Sequence, residues 1–276
     1  MPLSVHIVTD KPQDFKQGYL IAKLACHWQR AGYEITHGPV SSIDTDLAIL
    51  HINQTRISQE VLPDNPCNSP FLNGNVLDIS KSSFSTLRVF PDDSWDGLVI
   101  VKSDLNCFGK PEWRNSESGF FAKNRRRLAK RAWPLARRLP PERYPVLKSL
   151  KKVPGWVWRN PEIIVERFMP EREQGLYCLR GWVFFGKCGY TYKLYSTDPM
   201  VKTGTMMKYE FLNEPPVELV DFRMKNGFDF GKFDYVEIDG APILLDINKT
   251  PYIVSDANTP RLKYLAEGLN EFLESC

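Results

Sequence analysis

The sequence predicts an α/β protein, and three observations carry that prediction. Over the first fifty-odd residues, short apolar runs suited to buried strands alternate with one strong helical pattern, the ordering that builds an open α/β sheet. Farther on, the strands come in pairs, one of them joined by Asp239–Gly240, a dipeptide suited to the tight type I′ turn. The composition, 42% hydrophobic, 25% charged and 12% aromatic, is that of a globular chain and argues against extended disorder.

Taken in order, Leu3 to Val8 is the first strand. Phe15, Tyr19, Leu20, Leu24 and Trp28 then fall at helical spacing within residues 14–31, and Gly32 supplies a stop. Tyr33–Ile35 and Leu47–Ile52 are the next strands. The turn after the first strand, TDKPQDFKQG, lacks G-x-G-x-x-G, which excludes a nicotinamide or flavin fold. Residues 53–80 are rich in Asn, Pro, Ser and Asp and read as a crossover or linker. We therefore place an N-terminal α/β domain over residues 1–80 and a second domain over 81–276, where Lys81 to Leu87 opens a new pattern.

In the second domain, Leu98–Val101 is a continuous apolar strand ending at Lys102, followed by the turn-rich SDLNCFGKPE. Residues 110–150 form a basic helical insertion. From Lys123 to Arg138 the chain carries eight basic residues and no acid. Leu128, Ala132, Leu135 and Leu139 give that stretch helical periodicity, and Pro134 is expected to kink or end it. Ile163–Phe168 is the next strand. Tyr177–Gly186 and Tyr190–Tyr195 pair as a hairpin, as do Phe233–Ile238 and Ile243–Ile247, and residues 261–274 close the chain as an amphipathic helix.

Several functions are excluded or disfavoured at this level. A net charge of +3 does not by itself imply a polyanionic partner. The longest apolar stretches fall far short of the roughly 20 residues of a membrane span, and nothing has the layout of a signal peptide. The six cysteines (26, 67, 107, 178, 188 and 276) include no C-x-x-C pair, and the adjacent Cys26 and His27 form no spaced ligand set, so neither structural zinc nor a disulfide framework is expected. Reduced thiols in a cytoplasmic protein fit that pattern. His6, His27, His37 and His51 are assigned no role, and the oligomeric state stays open, a homodimer included.

The sharpest chemistry lies in FDYVEIDGAPILLDINKTP. Asp246 and Asn248 are two apart on one strand and so share a face. Across the tight turn, Asp234 falls close to Asp246. Asp246 also interrupts an apolar run, where an unpaired carboxylate would be costly. Two carboxylates and an amide oxygen form a hard-oxygen site of the kind that binds Mg²⁺; a solvent-facing amphipathic hairpin is the alternative.

This segment, with an upstream aspartate on the partner strand, resembles the metal-binding hairpin of the ATP-grasp superfamily, which usually has Glu at the position of Asp246. LVIVK resembles that family's strand ending in a phosphate-binding lysine, here Lys102. IIVERFMPERE resembles its inter-lobe hinge, and YCLRGWVFFG resembles the strand that follows. The resemblance covers about residues 81–276 and implies an ATP-grasp fold, with nucleotide held between two sheets and an N-terminal α/β domain as partner. It implies Mg²⁺ on Asp234, Asp246 and Asn248. Glu166 would accept from the adenine amino group, the Arg167 and Met169 backbone would pair with the ring, and Glu173 would hold the ribose. Arg180 would face the reacting phosphate, Lys193 would point the same way, and Lys148 is a candidate second phosphate contact. The glycine-rich phosphate loop common in the family is reduced here to Gly109.

The implied activity is ATP-dependent ligation of a carboxylate to an amine, with small molecules or peptides as substrates. Two alternatives share these residues in part. One is a grasp-fold kinase. The other is a non-catalytic nucleotide- or nucleic-acid-binding module, in which the basic segment neutralises phosphates and Trp133 stacks a base. The segment also suits a lid over nucleotide or a dock for an anionic substrate. Lys202 to Met207 (KTGTMM) resembles a substrate loop.

Overall fold

The computed structural model describes residues 2–113, 120–253 and 258–273. The chain begins with β1 (Ser4–Val8), α1 (Leu20–Arg30), β2 (Glu34–Gly38), β3 (Leu47–Leu50) and β4 (Phe71–Leu72). These strands form a parallel sheet in the order β2-β1-β3-β4. The segment read as a linker thus adds its own short strand to the sheet. The helix begins later than the periodicity suggested, because Pro12–Asp14 forms a separate 3-10 turn.

Next come α2 (Lys81–Phe84), β5 (Val99–Ser103), α3 (Lys110–Trp113), α4 (Phe120–Ala136), β6 (Val146–Leu147) and β7 (Ile163–Arg167). The three strands make a small antiparallel sheet in the order β6-β5-β7. Ala132 leaves helical geometry inside α4 (φ −141°, ψ 60°), two residues before Pro134. Proline removes a backbone donor and crowds the preceding turn, so the expected kink is present. Trp133 does not stand free: its ring meets that of Trp156 at 5.8 Å in the core beneath the small sheet.

The remaining elements are β8 (Glu171–Glu173), β9 (Leu176–Phe185), β10 (Cys188–Ser196), β11 (Lys208–Leu212), α5 (Val217–Lys225), β12 (Phe230–Ile238), β13 (Ala241–Asn248), α6 (Pro260–Glu267) and α7 (Asn270–Leu273). The strands form a large sheet ordered β11-β10-β9-β12-β13, with β8 pairing along β9. Both anticipated hairpins are present. Asp239 and Gly240 both have positive φ, 53° and 81°, as a type I′ turn requires.

Alternation along the long strands feeds two cores. Val183, Phe185 and Phe230 face α1 and α6 and join the core of the first sheet. Trp182, Phe184, Phe233 and Tyr235 face the opposite way, against Leu219 of α5 and Phe228. Each fully buried ring contributes about 1.5–3 kcal/mol of apolar burial. Trp28 of α1 donates from Nε1 to the Ala266 carbonyl of α6 at 2.8 Å, tying the chain's first helix to one of its last. No helix of the described residues is long and apolar enough to cross a membrane.

Candidate active site

The site is built on the β12–β13 hairpin. Asp234 and Asp246 are direct partners in the register, and a bulge follows at Leu245, where Leu244 becomes the partner of Tyr235. Lys232 is the partner of Asn248. Directly opposed residues project to one face, so Lys232, Asp234, Asp246 and Asn248 line up together. The Asn248 side-chain oxygen accepts from the Thr250 N–H at 2.9 Å, which fixes the amide while leaving a second lone pair.

Each carboxylate has a lysine against it. Lys232 Nζ lies 2.9 Å from Asp234 Oδ1, and Lys81 Nζ lies 2.8 Å from Asp246 Oδ1. Burial pushes the Asp234 carboxyl above the usual range, against the pull of Lys232, and the neighbouring charge of Asp246 adds to the rise. Burial works against the Lys81 ammonium, yet the Asp246 carboxylate overcomes it and holds that pKa above the ordinary lysine value. Lys81 sits in the four-residue α2, at 3% exposure. Its position is set from behind by Asp104: the Lys81 N–H donates to the Asp104 carbonyl at 3.2 Å, and the Ser82 N–H to Asp104 Oδ1 at 2.7 Å.

Lys102 is the penultimate residue of β5, and the buried run continues past it through Ser103 to Asn106. Its ammonium lies 2.6 Å from Glu166 Oε2 of β7, a carboxylate 1% exposed. Lys81, Lys102, Asp234 and Asp246 all line one cleft of about 240 Å³ between the small and large sheets. Its apolar wall includes Ile100, Val236 and Leu245, and Arg167 to Pro170 form the connecting edge. Arg167 and Met169 are therefore at the cleft. The Arg167 N–H, however, already donates to Leu87 O at 2.8 Å, so the backbone donor expected to meet an adenine ring there is engaged. Glu166 likewise faces Lys102 in this structure.

The roof comes from three loops. Phe108 and Tyr144 meet at 4.4 Å between centroids, Met200 Sδ accepts from the Tyr144 N–H at 3.1 Å, and Lys202 Nζ lies 5.0 Å over the Phe108 ring. Cys107, Phe108 and Gly109 take positive φ in succession (47°, 60° and 72°). Such backbone costs about 1–3 kcal/mol for each non-glycine residue and collects at ligand clamps.

Four expected site residues, Arg180, Lys193, Glu173 and Lys148, are not brought to the carboxylates. Asp234 is opposite Gly181 on β9 and Tyr235 opposite Arg180, so Arg180 projects from the other face of the sheet. There it holds Glu171 at 2.9 Å and Glu237 at 2.6 Å. Lys193, its cross-strand partner, holds Glu171 at 2.7 Å and Glu173 at 2.6 Å, which occupies the carboxylate expected at a ribose. Glu171, Glu173 and Cys178 offer ligand atoms within 4.8 Å of one another, but those two carboxylates already carry Lys193 and Arg180. Lys148 follows β6, is exposed, and does not line the cleft. Conversely, reading the sequence missed Lys81 and Lys232. For Lys232 the signal was available: it lies two residues before Asp234 on one strand, the same spacing that joins Asp246 to Asn248.

The donor set fits a hard divalent cation. Asp234 Oδ1 and Asp246 Oδ1 are buried and receive no aligned hydrogen bond, only the ammonium charge beside them. Asp234, Asp246, Lys81 and Lys232 cancel one another in charge. A divalent ion alone would leave this pocket cationic, whereas one arriving with a polyphosphate would not.

No protein-family model and no curated protein sequence matches the chain. Solved structures do match its fold along nearly its whole length. An ATP-grasp RimK domain protein from Sphaerobacter thermophilus is 12% identical, with 98% of this chain and 99% of that one covered, at a TM-score of 0.51. The macrocyclase MdnC from Microcystis aeruginosa, solved with its precursor peptide MdnA, is 11% identical over 98% and 100% of the chains, at 0.55. The ATP-grasp ligase PsnB, solved with a minimal precursor, is 11% identical over 99% and 100%, at 0.52. The chain has the ATP-grasp fold.

Proposed function

We propose that this chain is an ATP- and Mg²⁺-dependent ligase that joins a carboxylate to an amine or similar nucleophile through an acylphosphate. One observation carries the reading: Lys81 and Lys102 meet the opposed Asp234 and Asp246 in a single cleft between two sheets. Adenine would lie along the edge from Arg167 to Pro170, and the triphosphate would lie against the two lysines. Asp234, Asp246 and Asn248 would hold Mg²⁺, which when bound offsets phosphate charge. Lys232 lies on the carboxylate face and would stand beside the transferring phosphate, the role expected of Arg180.

The chemistry then needs positioning and charge neutralisation rather than a protein nucleophile. A carboxylate oxygen attacks the γ-phosphorus, its bond to the bridging oxygen breaks, and ADP leaves. The amine attacks the acyl carbon, the bond to the phosphate oxygen breaks, and inorganic phosphate departs as the amine gives up a proton. The nucleic-acid alternative is weakened, since Trp133 is packed on Trp156 and its ring is not free to stack a base.

Trapping tests the proposal. With ATP, Mg²⁺, hydroxylamine and a pool of amino acids and short peptides, the ligase yields hydroxamates and ADP. A hydroxylamine-stable phosphoester would instead establish a kinase. Tight polynucleotide binding with no detectable ATP binding would overturn the proposal altogether.

A further inference from the structure

The face that carries Lys232 and Asp234 does not stop at β12. Passing outward across the sheet, Asp234 is opposite Gly181 of β9, Gly181 opposite Tyr192 of β10, and Tyr192 opposite Phe211 of β11. These residues share one face. The absence of a side chain at Gly181 has a use here: a Cβ at that position would stand 2.3 Å from Tyr192 Cζ. The notch lets the Tyr192 ring lie across β9 toward Lys232, whose ammonium is 5.9 Å from the ring centroid.

The surface continues as a chain of rings. Tyr190 is 6.3 Å from Tyr192 and 6.2 Å from Phe211, and Tyr209 is 5.6 Å from Phe211. Tyr209 and Phe211 are 56% and 42% exposed, which is unusual for rings in a row. The chain ends on a cation. Arg261, in the first turn of α6, lays its guanidinium 3.3 Å from the Phe211 centroid. It is exposed and has no ion-pair partner among the described residues. The other cations of the active-site face, Lys81 and Lys232, each hold a carboxylate. Arg261 is therefore a fixed, stacked guanidinium on an apolar surface, oriented to take a second anion.

We infer that this strip is the acceptor subsite of the proposed ligase, and that it takes an extended peptide whose reacting carboxylate lies beside Lys232 and whose second carboxylate rests on Arg261. The inference rests on the ligase reading, which supplies the need for a carboxylate beside Asp234. Dimensions set the size of the ligand. From β12 to β11 there are three inter-strand spacings, about 14 Å in all. An extended chain advances about 3.3 Å per residue and turns alternate side chains to one face, so acidic side chains four positions apart span the strip, with the residues between them lying on the rings.

Equilibrium dialysis with a peptide pool tests this. The protein, saturated with Mg²⁺ and a non-hydrolysable ATP analogue, is dialysed against acetyl-Glu-X-X-X-Glu-amide with all residues at X. A second pool carries Gln at both ends. We expect retention of the glutamate pool, enriched in aromatic and apolar residues at X, and loss of at least about tenfold in Arg261→Gln and in Phe211→Ala. Both variants keep wild-type affinity for the ATP analogue, which shows that they are folded. Equal retention by Arg261→Gln, equal retention of the glutamine pool, or no retention at all overturns the inference. Failure of the ligase reading is a different result, in which the wild-type protein does not bind the ATP analogue.

Discussion

Two clusters of basic and acidic side chains lie on opposite faces of the large sheet, and the contrast between them separates scaffold from site. On one face, Arg180 and Lys193 hold Glu171, Glu173 and Glu237 in a closed network. The arginine donates three hydrogen bonds of 2.9–3.1 Å to Glu171, and burial of Glu171 is outweighed by those bonds, leaving its pKa below the usual carboxylate value. On the other face, Lys81 and Lys232 stand beside Asp246 and Asp234, yet one oxygen of each aspartate receives no aligned hydrogen bond. The first cluster sets two cations against three carboxylates, and the second sets two against two. Hydrogen bonding is complete only in the first, so the second can exchange its lysines for phosphate at lower cost.

The largest effect expected from this contrast is on turnover. Asp246→Asn should lower Mg²⁺-ATP turnover by about 100-fold or more, and, because it leaves the buried Lys81 ammonium without its carboxylate, it should lower the thermal midpoint as well. Lys81→Ala should cost about 100-fold as well, with weaker ATP binding measured by calorimetry. A variant of either residue that turns over normally would break the distinction between the two faces.

Arg180→Ala should behave in the opposite sense. Removing it leaves Glu171 and Glu237 facing each other's charge in a partly exposed setting. The expected cost is about 1–3 kcal/mol of unfolding free energy, after discounting a buried pair for solvent access, with turnover per folded molecule changed less than about threefold. Urea unfolding and active-site titration together check this. A large loss of turnover at unchanged stability would return Arg180 to the reaction.

The smallest effect concerns a buried group with no partner of either kind. His51, at the end of β3, has both ring nitrogens without a hydrogen bond, and burial pushes its pKa down to about 3. The folded chain keeps this histidine neutral while the unfolded chain protonates it near 6.5. Between those values the unfolded state binds more protons, so stability falls as pH drops from about 6.5 toward 3, by up to about 1.4 kcal/mol per pH unit. His51→Leu lacks that component, so the urea midpoint of the wild-type protein should fall relative to the variant's as pH drops across this range.

How far the sequence revealed this arrangement varies with the range of the interaction. The β12–β13 hairpin was readable because its determinants are local: a turn dipeptide, alternation, and a carboxylate inside an apolar run. Lys102 was readable because it ends a continuous apolar strand. Lys81 was not, since α2 is a single turn in a serine-rich stretch, and only packing against Asp104 and β13 brings it to Asp246. Arg180, expected to face the reacting phosphate, projects from the face opposite Asp234 and Asp246 for a different reason. Its face depends on the pairing of β9 with β12, and a shift of one residue in that register inverts the answer. Gly181, rather than Arg180, stands opposite Asp234, and no local pattern states that.

The most direct measurement is a crystal structure with Mg²⁺ and a non-hydrolysable ATP analogue. The account predicts the triphosphate between Lys81 and Lys102, with metal on Asp234, Asp246 and Asn248 and both lysines drawn toward phosphate oxygens. Nucleotide bound elsewhere, or a cleft in which Lys81 and Lys232 stay on their aspartates with no ligand present, would contradict it.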